Sequence, residues 1–417
     1  MKKDTLTVAL IEEAYTRLKD VVTLTPLQLN KRLSEKYQAT VYLKREDLQI
    51  VRSYKLRGAY NRIVRLSDAE KKRGVVCASA GNHAQGVAFG CEKLKIKGHI
   101  YMPKNTPKQK VERVRALGGK WVSIELVGDT YDDACAHAKK YCAQNKNIFV
   151  HPFDDIHVMA GQGTVGVEIV NQLGKTPDVV VVPIGGGGLV SGLGMYMKSK
   201  NPATTVVGVE PDGAASMSRA LELGKVTTLE HIDKFVDGAA VRTVGSHTFK
   251  VSKDIISKMV TVVEGHVCEE MISLYQNDGI ITEPAGALSV AALDNIRSDI
   301  KGKTVVCVVS GGNNDISRYP EIVERSLMYR GLKHYFIVEF SQRPGALREY
   351  LDKILGPNDD ITLFEYIKKS NKEKGPALVG IELSDKKDLK PLIDRMDAHG
   401  LSYTMLQRDT PLFRFLV

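Results

Sequence analysis

In the stretch DVVVVPIGGGGLVSGLG, Asp178 to Gly194, a run of β-branched residues ends in four glycines and resumes as a small, apolar pattern at helical spacing. The first part reads as a strand buried on both faces. Gly185 to Gly188 then place bare backbone N–H groups at the start of a helix, where unpaired amides and the helix dipole together favour a phosphate dianion. A tight turn or close helix–strand packing would also use glycine, but four in a row at a strand's carboxyl end favour the anion. The pattern is not the G-x-x-x-x-G-K-[ST] of a P-loop, and it does not lie at the first strand–helix turn, where a dinucleotide fingerprint belongs. The uncharged run Val179 to Met197 has the length of a membrane span, yet Pro183 and the glycines exclude a lipid-exposed helix.

Similar β-branched runs recur around this one, at Val41, at GVVCAS near Cys77, GHIYM before Pro103, KWVSIEL, TTVVGVE (Thr204 to Glu210), KMVTVV near Val260 and KTVVCVVS (Lys303 to Ser310). Between them VERVRALG, YDDACAHAKKYC and EEMISLYQ carry apolar residues three and four apart, as helices do. The alternation predicts an α/β fold with parallel sheets covered on both faces. After Arg318 the style changes. YPEIVERSLMYRGLK reads as a bridging helix, and from His334 the order strand, helix, strand, strand, helix, strand predicts a ferredoxin-like βαββαβ unit. We therefore expect a first domain over 1–325, with a small lobe inserted at about 75–150, a linker over 326–333 and a second domain over 334–417. At roughly 150 residues per domain, 417 residues accommodate this division.

With 43% hydrophobic and 26% charged residues the chain can bury a large core. Its net charge of +10 is dispersed and aromatic residues are only 6%, so no nucleic-acid partner is expected. The six cysteines form neither a C-x-x-C pair nor a secreted disulfide framework, which predicts a reducing compartment. Lys2 and Lys3 imitate the start of a signal peptide, but Glu12 and Glu13 break the apolar stretch after them, and a cytoplasmic location without membrane attachment is expected.

Two further strand–helix junctions are rich in small polar residues: SAGNHAQGVA, Ser79 to Ala88, and VVSGGNND, Val308 to Asp315. With the glycine loop they predict one ligand crevice at the carboxyl edge of a parallel sheet. Taken singly, Asn82 reads equally well as a helix cap, His83 as a surface histidine and Lys55 as a solvated lysine.

As a set, KREDLQ (Lys44 to Gln49), SYKLRGA around Lys55, SAGNHAQG, HPFDD (His151 to Asp155), AGQGT (Ala160 to Thr164), GGGG, TEPAG (Thr282 to Gly286) and SGGN resemble the fold-type II pyridoxal-phosphate enzymes, the threonine dehydratases among them. The resemblance spans the chain. It implies pyridoxal 5'-phosphate as cofactor, bonded to Lys55, with Gly185, Gly186, Gly187, Gly188 and Leu189 around its phosphate. Asn82 would face the phenolic oxygen and Ser310 the ring nitrogen, and Ser79, Gly81, Asn82 and His83 would meet the substrate carboxylate. A serine does not hold the pyridine protonated as an aspartate would, which suits β-elimination. The implied activity is an L-threonine ammonia-lyase yielding 2-oxobutanoate and ammonia, the first step of isoleucine synthesis. A serine dehydratase or a threonine synthase-like enzyme is the near alternative, and an amino-acid-sensing binding protein the distant one. Ala80 stands where related serine racemases carry a second serine, which disfavours racemisation. Glu210 and Ala214 match part of a cation site of some relatives, but Ser216 stands where a carboxylate would help, and no metal is assigned.

The C-terminal unit resembles the ACT-like regulatory domain of these dehydratases in single copy, with RPGAL, Arg343 to Leu347, at the turn where such domains receive an amino acid. The expected effectors are L-isoleucine as inhibitor and L-valine as candidate activator, in a homo-oligomer, tetramer or dimer. A purely structural dimerisation module is the alternative.

Overall fold

The computed structural model describes residues 5–368, 372–407 and 411–416. Lys2 and Lys3, and the parts of the 334–417 span at 369–371, 408–410 and 417, lie outside the described residues. The chain divides into Met1–Asp315 and Ile316–Val417.

Among its described residues the first unit carries two sheets. In the larger, the strands run in the order Leu27–Leu29, Thr40–Arg45, Thr304–Val309, Val179–Pro183, Thr205–Pro211, Lys258–Val262, all parallel except the antiparallel edge strand Leu27–Leu29. Val179–Pro183 sits inside this sheet and every one of its residues is buried, as its unbroken β-branched run requires. The smaller sheet is wholly parallel, in the order Val122–Leu126, Gly98–Met102, Val75–Ala78, Ile148–Phe149. Its strands span Val75 to Phe149. Each sheet has its own core, one built on Val180, Val182, Leu189, Leu193 and Val306, the other on Val75, Cys77, Val87, Ile100 and Met102.

In the second unit the strands Lys333–Ser341, Asp360–Tyr366, Lys374–Glu382 and Ser402–Met405 form an antiparallel sheet in which the second strand pairs the third, the third the first and the first the fourth. With helices Ala346–Lys353 and Leu389–Ala398 this is the ferredoxin-like order, and Phe336, Val338, Tyr350, Val379, Ile381 and Leu392 make its core. The helix Tyr319–Tyr329, expected as a bridge running from the end of the 1–325 span into the 326–333 linker, groups with this unit. The reason is local: Tyr335 of the first strand donates its hydroxyl to Glu324 Oε1 at 2.6 Å, and Lys333 lies 3.5 Å from the same carboxylate.

Candidate active site

Lys55 opens the helix Lys55–Val64, and its ammonium donates to the Pro152 carbonyl at 3.0 Å. Burial pushes its pKa down to about 8, against the opposing charge of Glu283. Lys55, Tyr54, Asn82, Gly185, Glu283 and Ser310 line one cleft, so residues from all three expected junctions meet there. The Ser310 hydroxyl donates to the Ala285 carbonyl at 3.2 Å and is nearly buried.

From Gly185 the loop turns into the helix Gly188–Lys200 through Gly187, whose φ of 93° lies in the left-handed region. Among the described residues, the amides of Gly185, Gly186, Gly187, Gly188 and Leu189 have no hydrogen-bond acceptor. Their orientation is fixed from behind. Asp154 accepts from the amides of Ser246, His247 and Thr248, capping the helix Ser246–Ile255, and Thr248 in turn donates its hydroxyl to the Gly186 carbonyl at 2.7 Å. The Phe153 ring closes the other side, and a Cβ on Gly186 would stand 2.3 Å from it. Gly186→Ala should therefore cost about 1–3 kcal/mol in local strain. Phosphate-bearing ligand should be retained about tenfold less well. Equilibrium dialysis with pyridoxal phosphate checks this, and unchanged retention would mean the amides do not form the cradle.

The SAGNH loop offers a second set of donors. Ser79 Oγ accepts from the Gly81 amide at 3.1 Å, while the amides of Ala80, Asn82 and His83 have no acceptor among the described residues. A Cβ on Gly81 would meet nothing within 4 Å, so the approach is open. Asn82 does not cap its helix, because Gly81 occupies that position. His83 is not at the surface either: it is 3% exposed, its Nε2 faces the Val150 carbonyl at 2.8 Å, and burial together with Lys55 pushes its pKa down to about 3. Its ring is a neutral interior group, and only its amide is available to an anion.

Several motifs without an assigned role find one here. Glu283 of TEPAG accepts from Asn82 Nδ2 at 2.7 Å, and Asn313 of SGGN donates to Asn82 Oδ1 at 2.6 Å. KREDLQ, SYKLRGA and AGQGT bring Lys44, Glu46, Arg57 and Thr164 together with Glu168 in a buried network under the lysine helix. Gly161 lets the helix Ile156–Leu173 approach that closely, since a Cβ there would stand 2.6 Å from the Arg57 carbonyl. Glu210 accepts from the Met217 and Ser218 amides at 2.6 and 2.8 Å and so caps the helix Ser216–Leu223. In the second unit, RPGAL forms the expected strand-to-helix turn, with Gly345 at the helix start and Arg343 paired with Glu349.

Residues 18–311 match the model of the pyridoxal-phosphate dependent enzyme family. The chain belongs to that family. The residues fit its cofactor: five free amides suit a phosphate, a partly desolvated lysine amine suits a covalent link to an aldehyde, and Asn82 and Ser310 offer polar atoms in the same cleft. Within this pyridoxal-phosphate family, the biosynthetic L-threonine dehydratase of Bacillus subtilis (strain 168) is 55% identical over 407 residues, 98% of this chain and 96% of that one. That of Mycobacterium tuberculosis (strain ATCC 25618 / H37Rv) is 54% identical over 411 residues, 98% and 95% of the two chains. Residues 324–416 match the C-terminal regulatory domain of threonine dehydratase. Among solved structures, the processed form of threonine deaminase isoform 2 from Solanum lycopersicum aligns with a TM-score of 0.73 at 38% identity, covering 78% of this chain and 96% of that one. Maize serine racemase aligns with a TM-score of 0.72 at 29% identity, covering 78% and 99%.

Proposed function

We propose that the chain is an L-threonine ammonia-lyase that converts threonine to 2-oxobutanoate and ammonia at the head of isoleucine synthesis. The observation that carries the reading is the Lys55 amine placed in one cleft with Gly185, the first residue of a loop whose amides have no acceptor among the described residues, in a chain whose threonine dehydratase relatives align over nearly its whole length. Pyridoxal phosphate, when bound, supplies the electron sink that makes the substrate's Cα proton removable. Lys55 is the base for that proton, since burial already disfavours its charged form. The amides of Ala80, Asn82 and His83 bind the substrate carboxylate and orient the substrate, with Ser79 and Gly81 shaping the loop. Ser310 and Asn82 line the same cleft as Lys55, where Ser310 would face the cofactor's ring nitrogen and Asn82 its phenolic oxygen. The test is product analysis with threonine, serine and phosphohomoserine: 2-oxobutanoate from threonine is expected, and turnover confined to phosphohomoserine would overturn the reading.

The C-terminal unit binds isoleucine as inhibitor and valine as activator, a reading supported by its match to the dehydratase regulatory domain. Such a unit acts only by binding its ligand differently in active and inactive states, with couplings of about 1–3 kcal/mol. Inhibition should raise the apparent KM for threonine or make saturation sigmoidal. A chain ending near Arg330 should keep dehydratase activity and ignore isoleucine, and equal inhibition of the shortened chain would place the effector elsewhere. We further propose a cytoplasmic homo-oligomer, a tetramer or dimer. All six cysteines are free thiols, and no helix of the described residues is long and apolar enough to cross a membrane. Exposed Leu48, Ile50 and Ile281 are apolar surface that such an assembly would cover.

A further inference from the structure

The amide of Asn82 is held by a chain of hydrogen bonds whose direction is set at its far end. The Val51 carbonyl can only accept, so the Asn313 group facing it at 2.8 Å is Nδ2. The same Nδ2 donates to Asn82 Oδ1 at 2.6 Å, which turns Asn82 Nδ2 toward Glu283 Oε1 at 2.7 Å. An amide nitrogen has two protons. One goes to Glu283, and one is left. The carboxyl of Glu283 is 5% exposed and is given room by two glycines: a Cβ would stand 2.5 Å from Oε1 at Gly311 and 3.2 Å from it at Gly238.

We propose that Glu283 is a positioning residue for the cofactor ring: it clamps the Asn82 amide so that the remaining N–H is reserved for the phenolic oxygen, and its charge state sets how strongly that N–H donates. The inference rests on the cofactor reading above. A carboxylate accepting one proton of an amide enriches the nitrogen in electrons and weakens the second N–H as a donor, while a protonated carboxyl relieves this. Glu283 can take both forms near neutrality, because burial, with Asp237 adding, pushes its pKa up to about 7 against the Asn82 bond and Lys110. The charged and titratable groups around it are the Lys110–Asp237 pair at 2.8 Å, and Lys55 and Tyr54 at the start of the lysine helix.

The test records the visible absorbance of bound cofactor against pH, from about 5.5 to about 9, in the parent holoenzyme, Glu283→Gln, Asn82→Ala and the double variant. The parent should show a spectral step near pH 7, and Glu283→Gln should lose it while keeping its fold, since the amide is isosteric. Asn82→Ala should lose the step too, and the double variant should match Asn82→Ala, because a residue acting through another adds nothing once that other is gone. Cofactor loss on dialysis should be about tenfold faster in Glu283→Ala, with Glu283→Gln largely restored. An unchanged step in Glu283→Gln, or equal effects of Glu283→Gln with and without Asn82, would overturn the proposal. A parent protein that takes up no cofactor would instead overturn the reading on which it rests.

Discussion

Lys55→Ala should lose the visible absorbance of bound cofactor and essentially all dehydratase activity, a fall of at least about 10⁴-fold. Both losses follow from one atom, because under the proposed function the Lys55 amine both bonds the cofactor and removes the substrate proton. The fold should survive. Alanine at the first position of a helix is well tolerated, and the substitution removes a charge that burial already disfavours. Circular dichroism should thus be unchanged while reduction with borohydride attaches no cofactor to the protein. Cofactor trapped on another lysine in the parent would show that the assignment to Lys55 is wrong.

The parts of this site that were legible in the sequence are those whose chemistry is local. Gly185 to Gly188 announce free amides because the strand before them and the helix after them are both written in the same seventeen residues. The long parallel strands were equally readable, since β-branched runs of four to six residues leave few other options. The edge strand Leu27–Leu29 and the pair Ile148–Phe149 were not, because three and two residues carry no period. His83 shows the same limit from another side. A histidine at a helix start looks solvated until the Val150 carbonyl, 67 residues on, is packed against its Nε2. Glu283 could be read only as a residue ahead of a proline-initiated helix, and its partner Asn82 lies 201 residues away. Motif resemblance marked both stretches as significant, but the function of each carboxyl and ring is a property of packing.

The second large effect is expected in the buried network beneath the lysine helix. Arg57 and Lys44 face Glu46 and Glu168, so two cations meet two carboxylates, and none of the four is more than 2% exposed. Every donor is used. Arg57 gives Nε and Nη2 to Glu46 at 2.8 Å each, Nη1 and Nη2 to Glu168 at 2.7 and 2.8 Å, and Nη1 also to Thr164 at 3.1 Å. Lys44 gives its three protons to the Thr25 carbonyl, Glu168 and Gln172 at 2.7, 2.5 and 3.0 Å. In water an ion pair contributes little, but once four charges are buried the asymmetry matters, because removing one carboxylate strands two cations without solvent. Burial acts to lower the Lys44 pKa, and the two carboxylates oppose that. Glu168→Ala should therefore cost about 3–5 kcal/mol of unfolding free energy in urea. Asp68→Ala, which breaks an exposed pair with Lys71, should cost no more than about 1 kcal/mol. The buried loss should also persist in about 1 M salt, where the Debye length falls to about 3 Å, since mobile ions do not reach the network. A cost for Glu168→Ala below about 1 kcal/mol, or one erased by salt, would show that water enters beneath the helix and that the network does not hold it. Arg57 is two residues beyond Lys55 on that helix, so the same network that stabilises the fold also fixes the start of the helix that carries the Lys55 amine.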